Sequence, residues 1–181
     1  MAFFSTSAVM ILTFVVFVLA TTPSTAHKVT DTEIKHLCSK SSHPARCYEL
    51  LKSDHRTVNV DAKGLVEVSV DLAAKKANKI HSQLNSFSKA THDSRLRNLY
   101  NSCSKNYNDA IRNLEVAKSN LHSGAFKNIH AQVKDASEEI KNCEKVLGEA
   151  SSDHAHIKKK SQDLEFRLNV VKITSDNLKK N

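Results

Sequence analysis

Two stretches of apolar residues spaced alternately by four and three, each with a cysteine equally far from one break, constrain this chain most. The first runs through Leu99, Cys103, Tyr107, Ala110, Leu114, Ala117 and Leu121. After His122, Ser123 and Gly124, the rhythm resumes at Phe126, Ile129, Val133, Ala136, Ile140, Cys143 and Leu147. Such spacing lays one apolar stripe along one side of a helix, the pattern of bundle packing. Cys103 stands 20 residues before Ser123 and Cys143 stands 20 after it. At a rise of about 1.5 Å per residue, each cysteine lies roughly 30 Å from the turn, so an antiparallel hairpin brings the two level. Facing positions at one height meet the geometric demand of a disulfide. A Cys103–Cys143 bridge is therefore the central expectation.

Breakers are scarce along the rest of the chain. Its glycines are Gly64, Gly124 and Gly148, and beyond residue 26 its one proline is Pro44. A β protein needs more turns than these allow, so the chain reads as all-α. Residues 31–52 hold Cys38 and Cys47 around Ser41, Ser42, His43 and Pro44, with Asp31 or Thr32 as a cap and Pro44 in a first turn. A bridge across this turn gives a stapled helical hairpin. A zinc site with His36 and His43 matches no common ligand spacing. Residues 52–59 are polar and turn-like. Asp61 then opens a long helix with the seam Val66, Val70, Ala73, Ala77, Ile80, Leu84 and Phe87. Asp93 or Ser94 caps the next helix, and Gly148 closes the one after. A connection over 150–155 leads to a last helix with the seam Ile157, Ser161, Leu164, Leu168, Val171, Ser175 and Leu178. The expected architecture is an antiparallel up-down-up-down four-helix bundle over 61–178, with the 31–52 hairpin protruding at its front.

Residues 8–20 form an apolar run broken only by Thr13, and Pro23, Ser24, Thr25 and Ala26 follow. A short apolar run before a small-x-small site reads as a secretory signal peptide cut after Ala26, leaving a mature domain at 27–181. The run falls short of the roughly 20 residues a membrane span needs, so no membrane association is expected after cleavage. An oxidising compartment suits four cysteines paired as two disulfides. The formal charge is +8, all of it beyond the leader, and favours acidic partners. Basic residues are scattered among acidic ones, and their longest run is Lys158, Lys159 and Lys160. No aromatic residues interleave with a basic stripe, which argues against nucleic acid. Ten histidines make charge sensitive to acid, since protonating all of them would carry the formal charge from +8 to +18.

Catalytic signatures are missing. The sequence has no nucleophile elbow, phosphate loop, dinucleotide fingerprint or His-Glu-x-x-His. His154 and His156 read as part of a solvated loop rather than a metal site. Tyr100 and Tyr107 read as residues at the core's edge. The expectation is a protein that is not an enzyme and uses no cofactor and no metal.

A basic helical chain with a leader, a Cys-x8-Cys hairpin and two further cysteines 40 apart resembles the plant invertase and pectin methylesterase inhibitors. The resemblance runs from Ile34 to about Leu178. It rests on Cys38, Pro44 and Cys47; on Leu51-Lys52-Ser53-Asp54-x-Arg56; and on Lys63-Gly64-Leu65 followed by Ser69-Val70-Asp71-Leu72-Ala73. Leu99-Tyr100, Cys103, Tyr107, Ala110 and Cys143-Glu144 complete it. It implies the same bundle and hairpin, with Cys38 paired to Cys47 and Cys103 to Cys143. It also implies a secreted, non-covalent inhibitor whose exposed faces on three bundle helices cover an enzyme's substrate cleft.

Target choice rests on the turn before the Cys143 helix. The Pro-Lys-Phe motif of invertase inhibitors would fall at Phe126-Lys127-Asn128, where Lys127 alone matches. The Gly-Asp-Tyr more frequent in pectin methylesterase inhibitors is echoed by Gly124-Ala125-Phe126, and the place of Pro44 also resembles that branch. A fifth cysteine common in that branch is replaced here by Phe166. The resemblance therefore implies a pectin methylesterase target in the cell wall, with Phe126 and Lys127 as candidate contacts and acidic pectin as an electrostatic attractant. The alternative is acid invertase of the wall or vacuole, and a further alternative is a helical bundle with a structural or signalling role and no inhibitory activity.

Overall fold

Three of the helices begin where a side chain, Thr30, Asp61 or Asp93, accepts a free N–H group of the first turn. A computed structural model describes residues 27–148 and 154–179. The leader expected at 1–26 and most of the connection expected at 150–155 lie outside the described residues. Helix α1 spans Asp31–Cys38 and is capped by Thr30. The Thr30 hydroxyl accepts the Glu33 N–H, and the Glu33 carboxylate accepts the Thr30 N–H at 2.7 Å, a reciprocal box one residue earlier than expected. Pro44 starts α2 (Pro44–Lys52), where its missing N–H costs nothing. The polar stretch that follows contains a short 3-10 helix, His55–Val58, rather than turns alone. Thr57 is buried there and donates to the Leu51 carbonyl at 2.6 Å.

Four long helices follow: α3 (Ala62–Ala90), α4 (Ser94–His122), α5 (Phe126–Leu147) and α6 (His154–Asp176). Asp61 caps α3 through the Gly64 N–H at 2.7 Å, and Asp93 caps α4 through Arg95 and Leu96. Gly148 ends α5 with φ +48°, a left-handed conformation that glycine adopts without steric cost. His154 and His156 fall in the first turn of α6, not in a loop, because the helix begins three residues ahead of its first seam residue. Each long helix packs on its chain neighbours, and α3 packs on α6, which closes the up-down-up-down ring. Among the described residues there is no strand, only an isolated bridge between Lys28 and Asp61.

The seam residues of all four helices form one core. Phe87, Leu99, Phe126 and Leu178, at the ends of the seams, are half-buried. Tyr100 and Tyr107 lie inside the core rather than at its edge, at 3% and 0% exposure. The Tyr107 hydroxyl meets the Ser161 hydroxyl at 2.8 Å, and Ser161 donates onward to the Ile157 carbonyl, so a buried phenol keeps a partner.

A second core lies on the outside of the ring. Ile34, Leu37, Cys38, Cys47 and Leu51 from the hairpin meet Leu65 of α3 and Phe166, Val170 and Ile173 of α6. The hairpin therefore lies along the α3–α6 side instead of protruding. Helix α6 buries two faces, one against the ring and one against the hairpin. Cys38 joins Cys47 with Cα atoms 5.5 Å apart, and Cys103 joins Cys143 with Cα atoms 4.5 Å apart.

Candidate inhibitory surface

The α4–α5 turn carries both residues singled out as partner contacts. Gly124 has φ +79°, and the Ala125 N–H returns to the Asn120 carbonyl at 2.8 Å, so the chain reverses within three residues. Phe126 opens α5 half-buried against the core, as the first residue of its seam. Lys127 and Asn128 point into solvent. Together with Gly124, Ala125 and Leu178 they line a shallow hollow at this end of the bundle. The structure thus divides the pair. Phe126 packs against the core, and Lys127 is the exposed cation beside it.

Outside the bundle, a chain of ion pairs fastens the segment after α2 to two long helices. The Arg56 guanidinium grips Asp54 with two N–H groups at 3.0 and 2.8 Å and donates a third to Asp71 at 2.7 Å. Lys118 of α4 bridges Asp71 at 2.9 Å and Glu67 at 3.1 Å, and His122 stands 3.4 Å from Glu67. The Arg56 hydrogen bonds outweigh burial and draw the Asp54 carboxyl down to about 2. Burial alone would raise Asp71, but Arg56 and Lys118 hold it below the usual carboxylate range. Asp54, Glu67 and Asp71 are each met by a cation, so the network works as a fastener and offers no base to a substrate.

On the α5–α6 side, the Ser137 hydroxyl lies 2.8 Å from both oxygens of Glu165, and burial pushes that carboxyl upward. Among the described residues, no group of three or more histidine, cysteine, aspartate or glutamate side chains converges as a metal site. No helix of the described residues is long and apolar enough to cross a membrane. What this geometry presents to a partner is a stiff surface of long helices.

Residues 32–179 match the sequence model of the family described as "Plant invertase/pectin methylesterase inhibitor". The chain belongs to that family. Membership places it among enzyme inhibitors rather than enzymes. Its relatives include the pectinesterase inhibitor of Actinidia deliciosa, 33% identical over 111 residues. That alignment covers 61% of this chain and 60% of the relative. Pectinesterase inhibitor 2 of Arabidopsis thaliana is 27% identical over 97% of this chain and 99% of its own length. In three dimensions the fold resembles a crystal structure of an Arabidopsis thaliana pectin methylesterase inhibitor, with a TM-score of 0.62 at 22% identity, covering 83% of this chain and 98% of that one. A mutant form of an Arabidopsis inhibitor gives a TM-score of 0.69 at 22% identity over 80% and 95% of the two chains.

The segments that carry the family resemblance have structural tasks here. Asp54, Arg56 and Asp71 build the fastener. A Cβ on Gly64 would stand 2.7 Å from the Val60 Cβ, so only hydrogen lets the α3 start approach that loop. The Ser69 hydroxyl meets Thr174 of α6 at 3.0 Å inside the α3–α6 contact. In the sequence Asp54, Arg56 and Asp71 stand only as signs of kinship. Their common purpose was missed because Lys118, the link to α4, lies far away in sequence.

Proposed function

We propose that this protein is a secreted inhibitor of plant pectin methylesterase, acting by non-covalent occlusion of the enzyme's substrate cleft. The observation that carries the reading is kinship with three proteins named pectinesterase inhibitors, one of them aligned over 97% of this chain. The exposed faces of the bundle helices supply the contact area, with Lys127 at the α4–α5 turn as a candidate contact and Phe126 holding that turn in shape. A standard interface buries about 800 Å² on each partner, which two or three helix faces can provide. Rigidity matters because a surface already ordered loses little conformational entropy on docking. Residues 1–26 direct the chain to the wall space and are removed.

The test is a titration of the oxidised protein against plant pectin methylesterase and, separately, acid invertase at about pH 5 to 6, where each enzyme's free and complexed forms are resolved by residual activity. Stoichiometric loss of pectin methylesterase activity with invertase untouched is expected. Inhibition of invertase alone, abolished by Lys127→Ala, would transfer the protein to the other branch. Inactivity against both would leave only the structural or signalling reading.

A further inference from the structure

Seven of the cations that look scattered along the chain are gathered by the fold into one groove. Helices α3 and α6 run antiparallel, and their register is set by Lys76 to Asp163 and by Arg167, which donates to the Leu72 carbonyl. Above the hairpin this register lines up Lys75, Lys76 and Lys79 of α3 with Lys159, Lys160 and Arg167 of α6. Arg46 of α2 closes the lower edge, stacked 4.1 Å over the Phe166 ring. The result is two adjoining open hollows that share Lys76. Among the residues lining them, the sole carboxylate is Asp163, which Arg46, Lys76 and Arg167 all share. Burial, followed by the charges of Lys76 and Lys79, depresses the Lys160 ammonium, as expected where cations crowd without enough counter-charge.

Leu72 and Gln83, the α3 partners of Arg167 and Lys160, are 11 residues apart, so the strip is about 16 Å long. It is open along its length and lined by ammonium groups on long stems. The Phe166 ring is covered by Arg46, which leaves the exposed His156 imidazole as the one ring among the lining residues, too few for stacking successive bases. Among the residues lining the two hollows Leu72 is the single apolar side chain, half-buried between the helices, which is too little to enter a lipid surface. An extended chain with carboxylates at intervals fits such a strip: flexible ammonium groups meet separate anions as point charges, and the two arginines take carboxylates bidentately.

We propose that the α3–α6 groove binds a linear polyuronate, the de-esterified form of pectin. The choice of polyuronate rests on the pectin methylesterase reading, because each ester that enzyme hydrolyses leaves one carboxylate on the polymer. The groove would hold the inhibitor where its target has been at work, on a side of the bundle away from the α4–α5 turn.

Sedimentation of the full secreted protein with polygalacturonate, and with fully methyl-esterified pectin, tests this. Polygalacturonate should carry the protein down, esterified pectin should not, and affinity should fall at least tenfold between about 50 and 200 mM salt as counterion release is suppressed. The triple variant Lys75→Glu, Lys79→Glu, Lys159→Glu should lose at least tenfold in affinity. A control with the same charge change on α4 and α5 (Lys105→Glu, Lys134→Glu, Lys145→Glu) should lose less than threefold, and circular dichroism verifies that both remain helical. Equal losses would overturn the proposal, because the net charge and not the groove would then be responsible. Binding to esterified pectin, no binding to polygalacturonate, or tighter binding to a single-stranded oligonucleotide would also overturn it. Inhibition of pectin methylesterase measured on the same preparation separates the two ideas. An inhibitor that ignores polyuronate sinks only the groove, whereas a polyuronate binder that does not inhibit sinks only the inhibitory reading.

Discussion

At the scale of single residues, Asp54 shows how one carboxylate links a loop to acid stability. Its side chain is 17% exposed, its partner Arg56 is 40% exposed, and its carboxyl is drawn from 3.8 to about 2 in the fold. A depressed carboxylate stabilises the folded state fully above its unfolded pKa, and that contribution is lost as pH falls through about 2. Solvent screening at the exposed guanidinium reduces the gain to about 1 kcal/mol. Asp54→Asn should therefore lower urea stability by about 1 kcal/mol near pH 7, and the two proteins' stabilities should converge as the pH approaches about 2. A constant gap down to that pH would show that the loss does not come from the Asp54 charge, since asparagine keeps an acceptor for the Arg56 N–H.

At the scale of elements, the two disulfides and the second face of α6 divide the work. Cys103–Cys143 closes 40 residues and Cys38–Cys47 closes nine. On the chain-entropy model these loops are worth about 4 and about 2.5 kcal/mol. Removing the longer one as Cys103→Ala, Cys143→Ala should lower denaturation stability more than the matching change at Cys38 and Cys47; the reverse order would mean that packing, not loop closure, governs. Phe166 holds the hairpin down, with the His43 ring 6.2 Å away and the Arg46 guanidinium above it. Phe166→Ala should cost about 3 kcal/mol locally. Amide exchange should then quicken in α1 and α2 while the α4–α5 amides keep their protection.

The same elements mark what was legible. The α4 and α5 stripes, the caps at Asp61 and Asp93 and the Gly148 stop could be read from the sequence, because each depends on residues within about one helical turn. Helix α6 was legible only in part: its seam of Ile157, Leu164, Leu168 and Val171 kept its rhythm, while Phe166, Val170 and Ile173 broke the amphipathic pattern. A helix apolar on two sides says that something covers it without saying what. The candidate contacts were less legible still. Lys127 and Phe126 are adjacent in sequence, yet one is exposed and the other half-buried, according to which one the core covers.

At the scale of the whole molecule, the charge of +8 is less informative than its placement. A net charge sets long-range attraction, whereas a groove with a defined register selects the spacing of the anions it holds. Local rules of periodicity, capping and chain reversal were enough for the sequence by itself to determine an all-helical chain, the position of its long helices and which cysteines stand level. Only the tertiary structure decided that the hairpin lies on α3 and α6, that Arg56 and Lys118 meet on Asp71, and that seven cations share one strip with Asp163. Arg56 and Asp71 are 15 residues apart in the chain, Lys118 and Asp71 are 47 apart, and Arg46 and Asp163 are 117 apart. Their meeting depends on how whole helices slide and rotate against one another, a choice made by the summed packing of the core and by no single stretch of sequence.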